Sequence, residues 1–310
     1  MFELKHTKTE ATRHNYVVFG SGPVNLVIEM GLGATIGEWY HVAQHLADQY
    51  TVLLYERSRS TQTARTPENI ANELHLLLDS LGHAEKIIIV AHSQGGLYAQ
   101  QFARLYPDMV SGILFLDPLS VRDNEYKTVF TPEEQKKSGF NKSENLVIME
   151  KLAKLHLGFI IRAVMKKAPP FYYYDGFSEE AKRYILSSIS KPDIYASALE
   201  EYRLAHEEEY TSTLRDASGF HNIPIVLVTH TPEYSIRETM EFGQTDSAFA
   251  ERVEEFWQSL MKDYLSLGGI SHHIQARNSG HYIHLCEPED IDEGLKLLCT
   301  AIGKTKHTAE

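Results

Sequence analysis

Two short stretches of this chain hold residues that could do nucleophilic chemistry together. The first is Ala91-His92-Ser93-Gln94-Gly95-Gly96. It follows Lys86-Ile87-Ile88-Ile89-Val90, a β-branched apolar run that reads as a fully buried strand. It precedes Leu97 to Tyr106, which reads as a helix stopped by Pro107. A serine on so tight a strand-to-helix turn is held in a strained conformation that exposes its hydroxyl. Small residues two before and two after it let strand and helix pass close together. The second stretch is Asn278-Ser279-Gly280-His281-Tyr282-Ile283-His284. A strand reading, His272 to Arg277, comes before it; Glu287-Pro288-Glu289-Asp290 after it opens a helix with acids in the first turn, favourable to the helix dipole. A serine hydroxyl is a weak nucleophile at neutral pH, and a neutral imidazole within reach removes its proton during attack. Ser93 is the expected nucleophile and His281 the expected base.

A metal is the other chemistry that four histidines in thirteen residues could suggest (His272, His273, His281 and His284). They alternate between strand and loop, no Cys or Glu ligand spacing accompanies them, and no H-E-x-x-H is present. Neither a metal nor an organic cofactor is expected.

With these two turns and a third segment, the chain resembles the α/β-hydrolase family over most of its length. The third segment is the strand Val24 to Glu29, then Met30-Gly31-Leu32-Gly33-Ala34, then a helix containing Trp39-Tyr40-His41-Val42-Ala43. The resemblance implies an oxyanion hole made by the backbone N–H groups of Leu32 and Gln94. Two fixed donors aimed at developing negative charge are often the largest catalytic contribution. Two departures stand out: Ala91 replaces the usual glycine of the serine turn, and Met30 stands where the family usually has a histidine. A dinucleotide-binding reading of Gly31-Leu32-Gly33 fails, because the next glycine, Gly37, comes one residue too late for G-x-G-x-x-G.

The family orders its triad serine, acid, histidine, with the acid after either of two later strands. One candidate is Asp117, ending Gly112-Ile113-Leu114-Phe115-Leu116; the other is Glu233, after Ile225 to Pro232. Both would lie at carboxyl ends of strands, where open α/β sheets bind ligands. Asp117 is favoured: an aspartate closing an apolar strand needs a hydrogen-bonded partner if buried, and an imidazole N–H provides one. The segment after Thr229 also lacks the Gly-x-x-Asp turn of relatives that carry their acid there. Haloalkane dehalogenases and epoxide hydrolases of the family use an aspartate nucleophile, whereas this turn has serine.

These residues need a scaffold, and the rest of the chain predicts one. Phe2 to Lys8 and Tyr16 to Phe19 read as a leading pair of strands, Gln49 to Tyr55 as another, and Thr66 to Leu81 as a helix with Pro67 at its start. Short apolar runs alternating with amphipathic helices predict a mostly parallel sheet with helices on both faces; the resemblance implies that this is the α/β-hydrolase fold. Glu56-Arg57-Ser58-Arg59-Ser60 lacks the glycines of the family's acid-Arg-Gly segment, so that turn is expected to be rebuilt. Core is expected over 1–117 and 222–310. Residues 118–221 break the alternation for far longer than an ordinary connection and are expected to form a helical cap. Within it, Leu146 to Met165, Ser178 to Ile189 and Asp193 to Glu209 carry helical spacing, and the polar Lys127 to Lys142 reads as its flexible part. Pro169-Pro170-Phe171-Tyr172-Tyr173-Tyr174 supplies aromatic surface, read first as packing of cap on core.

Composition sets outer limits. With 310 residues, 43% hydrophobic, the chain can bury a substantial core. A net charge of −12 argues against nucleic acid or an anionic membrane surface as partner. No apolar stretch approaches a membrane span, and the first residues do not read as a signal peptide. The two cysteines, Cys286 and Cys299, give no disulfide framework, and a reducing, cytoplasmic setting is expected. The Asn141-Lys142-Ser143 sequon has meaning only in a secreted chain. The expected activity is that of a serine hydrolase on a small ester, thioester, lactone or amide. A lyase or acyltransferase using the same residues, or a small-molecule receptor of the same fold, are the alternatives.

Overall fold

The computed structural model describes residues 4–8, 13–60, 62–83, 85–137, 143–215, 220, 223–268 and 271–308. Among the described residues eight strands run in chain order: β1 (Lys5–Lys8), β2 (Arg13–Phe19), β3 (Leu26–Glu29), β4 (Val52–Glu56), β5 (Ile87–His92), β6 (Val110–Leu116), β7 (Ile225–Thr229) and β8 (Ser271–Gln275). They form one sheet in the order β1-β2-β4-β3-β5-β6-β7-β8. Only the pairings of β2 with β1 and β4 are antiparallel; β4 through β8 are parallel. Between the strands lie α1 (Ile36–Leu46), α2 (Pro67–Ser80) and α3 (Gly95–Leu105).

The central strands β3, β4, β5 and β7 are buried at every residue, as parallel strands covered on both faces must be. Their side chains divide by the two-residue period of a strand. Val27, Leu53, Ile89, Phe115 and Leu227 point into one core, with α2 and α3. Leu26, Leu54, Val90, Leu114 and Val228 point into the other, with α1. Thr66 caps α2 by accepting from the Asn69 amide, and Pro67 takes the first helical position, where its missing N–H costs nothing.

Between β6 and β7 the chain is helical: α4 (Tyr126–Val129), α5 (Pro132–Lys137), α6 (Ser143–Lys154), α7 (Gly158–Met165), α8 (Glu179–Ser188), α9 (Pro192–Ala205) and α10 (Glu208–Thr211). Residues 127–137, read above as flexible, fold mostly into α4 and α5. A capping box missed in the sequence explains α5: Thr131 Oγ1 accepts from the Glu134 amide while the Glu134 carboxylate accepts from the Thr131 amide. Residues 138–142, with Asn141 and Lys142 of the sequon, lie outside the described residues, as do residues 1–3 at the start of the first strand reading and Asn222 at the expected cap boundary. The aromatic run ties this helical segment to the sheet domain. Tyr174 stacks on His41 of α1 at 4.9 Å, and Tyr173 stacks on Tyr282 at 4.7 Å. After β7 come α11 (Pro232–Gly243) and α12 (Ser247–Leu265), and after β8, α13 (Ile283–Cys286) and α14 (Glu289–Thr308). Cys286 and Cys299 are both free thiols.

Candidate active site

Register brings the serine and the acid side by side. β5 pairs with β6 so that His92 stands opposite Leu116; the next residues, Ser93 and Asp117, leave the sheet together. Both take left-handed backbone conformations, φ 53° and 45°, which cost a non-glycine residue about 1 kcal/mol or more. The Ser93 amide donates to Leu116 O, and the Asp117 amide to Val228 O, so both turns are tied to the neighbouring strand. Gly95 must be small: a Cβ there would stand 2.4 Å from Glu29 O and 2.7 Å from Met30 O.

His281 comes to this point from the loop after β8. Its Nδ1 donates to Asp117 Oδ2 at 2.6 Å, and its Nε2 accepts from Ser93 Oγ at 2.9 Å. The acid is buried, while about a third of the imidazole is exposed. The three residues expected to act together are therefore within hydrogen-bond reach in the order a nucleophile, base and orienting acid require. Glu233, the other acid considered, lies in the first turn of α11.

Asp117 holds more than His281. His230, the residue after β7, donates its backbone amide to Oδ1 at 3.0 Å. Its ring Nδ1 lies 2.8 and 3.0 Å from the two carboxylate oxygens. Burial alone would raise the Asp117 pKa; the His230 charge and hydrogen bonds from His230 and His281 outweigh it and hold the carboxyl well below the usual range. On its far side His230 Nε2 meets Glu254 Oε2 of α12 at 2.9 Å.

Behind His281 lies a second buried group. His92 Nε2 donates to the His281 carbonyl at 2.9 Å, which fixes its tautomer and anchors the loop. His284 stacks flat on Trp39 at 3.9 Å, and its Nε2 meets Glu38 Oε1 at 3.1 Å. Burial raises the Glu38 carboxyl to about 8 and depresses His284 well below its ordinary value. Both shifts favour the uncharged form of each group.

The loop after β3 packs directly on the serine turn: a Cβ on Gly31 would lie 3.2 Å from Ser93 Cβ and 3.1 Å from His92 Nδ1. Leu32 follows Gly31, and Gln94 follows Ser93. Bracing comes from Arg57, in the turn that lacks the family's glycines. Its guanidinium donates to Met30 O at 2.5 Å, Gly31 O at 2.9 Å and Glu29 Oε1 at 2.7 Å, and on the other side to Glu201 of α9 at 3.0 Å. Tyr55 donates to the second oxygen of Glu29, and Arg65 bridges Glu201 to Glu73. A cavity of about 780 Å³ opens elsewhere, walled by Asp123 and Lys127 on one side and Tyr202 and His206 of α9 and its C-terminal cap on the other; none of Ser93, Asp117 and His281 lines it.

A sequence profile for the alpha/beta hydrolase fold matches residues 24–146, from β3 through the serine turn into the helical segment. With the sheet order above, that decides the fold. The chain has the α/β-hydrolase fold. It is similar to an AB hydrolase superfamily protein of Gibberella zeae, 23% identical over 86% of this chain and 83% of that one. It is also similar to epoxide hydrolase 1 of Caenorhabditis elegans, 28% identical over 36% of this chain and 30% of the other. Among solved structures, that of the epoxide hydrolase CorEH superposes with a TM-score of 0.64 at 20% identity, over 96% of this chain and 99% of that one.

Sequence reasoning about this α/β hydrolase missed His230, Glu254, Arg57 as a clamp, and the Glu38–His284 pair. For His230 a signal existed. It ends the strand beside the one that ends in Asp117, and Leu116 pairs with Val228, so two polar strand-enders are neighbours. Glu254 had none: it is one of several glutamates on a long amphipathic helix, and only packing shows which is buried.

Proposed function

We propose that this α/β hydrolase is a serine hydrolase acting on a small carboxylic ester, thioester, lactone or amide through an acyl-enzyme. The observation that carries the reading is the unbroken line Ser93 Oγ–His281–Asp117, with hydrogen bonds of 2.9 and 2.6 Å. Ser93 Oγ attacks the carbonyl carbon as its proton passes to His281 Nε2. Asp117 fixes the tautomer that leaves Nε2 bare and stabilises the imidazolium that forms. The amides of Leu32 and Gln94 receive the oxyanion. His281 then gives its proton to the leaving group, and a water deprotonated by the same nitrogen releases the acid and restores Ser93.

Two similar proteins are named epoxide hydrolases, and the side-chain chemistry here points away from that reaction. A carboxylate that opens an epoxide becomes an ester, which water cleaves. A serine oxygen that opens one becomes an ether, which His281 and water have no means to cleave, so turnover would stop after one event.

The test is intact mass after treatment with a fluorophosphonate, with Ser93→Ala and His281→Ala as controls, followed by turnover on short-chain p-nitrophenyl esters and on styrene oxide. One adduct, lost in both variants, together with multiple turnover of an ester is expected. An adduct that persists in folded Ser93→Ala, or turnover of the epoxide alone, overturns the assignment.

A further inference from the structure

We propose that His230, clamped between Asp117 and Glu254, is a positioning residue that acts through Asp117 to orient and tune the imidazole of His281. The inference rests on the reading of His281 as the base of Ser93.

Hydrogen-bond counting assigns the state of His230. Each of its ring nitrogens faces a carboxylate oxygen: Nδ1 faces both oxygens of Asp117, and Nε2 faces Glu254 Oε2. With both carboxylates ionised each can only accept, so both nitrogens donate and the ring is an imidazolium. Its side chain is 6% exposed, against 1% for Asp117 and 5% for Glu254, so water does not dilute the interaction. Gln258, one turn along α12, donates to the other oxygen of Glu254 at 2.7 Å. The Trp257 ring covers the imidazole at 4.1 Å. Burial pulls the other way, yet the two carboxylates push His230 up to about 10.

Two consequences follow for His281. Asp117 accepts two donors from His230 (the ring N–H, shared between both oxygens, and the backbone amide) and one from His281, so the carboxylate is held and Oδ2 stays aimed at His281 Nδ1. A fixed cation on the far side of the same carboxylate also opposes a second charge on His281, which lowers its proton affinity. The other groups facing this cluster are Glu238 of α11, the buried Tyr126 hydroxyl of α4, and, around His281, the rings of His92, Tyr282 and His284. Glu238 adds negative charge and so works against the effect of His230; neutral Tyr126 adds none.

His230→Gln keeps a donor for Asp117 and removes the cation. The expected result is that the acid limb of fluorophosphonate labelling at Ser93 moves up by about one pH unit, since His281 must be neutral to act. A loss of rate with the limb unmoved would mean that His230 only packs, and would overturn the proposal. Should His230→Gln not fold, the ¹⁵N-histidine spectrum of the unaltered protein decides. His230 protonated on both nitrogens at pH 8 is expected, and a bare nitrogen there refutes the assignment. The His281 titration read in the same spectra needs no reaction at Ser93. Its displacement in His230→Gln, in a protein whose serine never labels, would mean that the hydrolase reading fails while this one holds; no displacement would refute the inference directly.

Discussion

Arg57→Lys separates bracing of the oxyanion loop from general stability. Arginine at this position donates on two sides at once, to Met30 O, Gly31 O and Glu29 on one and to Glu201 on the other. Lysine keeps the positive charge, so no buried carboxylate loses its counter-ion outright. A single ammonium cannot span both sides, however, and at least two charge-assisted contacts are lost. At about 1.5 kcal/mol each, the variant should be destabilised by roughly 3 kcal/mol, a fall in Tm of about 5 °C for a chain of this size. If the released carbonyls are those of Met30 and Gly31, the next amide, Leu32, is no longer aimed. Loss of one oxyanion donor costs about 100-fold in kcat, with KM changing much less because the ground-state carbonyl depends little on that donor. Ester turnover and thermal melts on the same preparation provide both numbers. A folded Arg57→Lys protein whose kcat stays within about threefold of the parent would show that Arg57 serves stability alone.

Asp117→Asn should fold and lose about four orders of magnitude in turnover, because an amide can hold His281 in the wrong tautomer; a loss under tenfold in steady-state ester assays would remove Asp117 from the triad. Gly95→Ala should fail to give soluble protein, since its Cβ meets two backbone carbonyls, whereas Gly31→Ala should fold and turn over more slowly, its Cβ meeting side chains at 3.1 to 3.2 Å; solubility and ester assays on the two proteins test the contrast. The Glu38 carboxyl, raised to about 8, keeps a proton in the folded state that the unfolded chain has already released, so its contribution to stability falls as pH rises, by about 1.4 kcal/mol per unit. Below about pH 6.5 the depressed His284 acts in the opposite sense, so the net fall belongs between pH 6.5 and 8. Urea unfolding of Glu38→Gln at those two values should show it gone, and an unchanged fall would place its source elsewhere.

What the sequence made legible follows from range. The Ser93 turn is local: an apolar strand, a small-residue turn and a helix lie within some twenty consecutive residues, and β5 and α3 appear where those residues predict them. The sheet's alternation is equally local, and so is the expectation of strain at Ser93, met by its φ of 53°. Asp117 required one step further, the argument that an aspartate cannot end a buried strand alone. Arg57 illustrates the limit. Its neighbours signalled only that a glycine turn was missing, because the carbonyls it holds lie 26 and 27 residues away and its second carboxylate 144 away. No local pattern encodes which of 42 acids will face it.

The buried charges make the same point about function. Glu29, Arg57, Glu201, Arg65 and Glu73 form one connected network beneath the loop after β3, and Asp117, His230 and Glu254 form another behind His281. Well-packed apolar side chains of equal volume would often be at least as stable, so stability alone does not account for two such networks flanking one serine. Each fixes a different part of the proposed reaction: the first holds the backbone that would receive negative charge, the second holds the group that would receive the proton. Glu201 comes from α9 of the helical segment, so the first network also couples that segment to the loop. A helical segment that shifted would carry Glu201 away from Arg57, and the position of the Leu32 amide, a proposed oxyanion donor, would change with it.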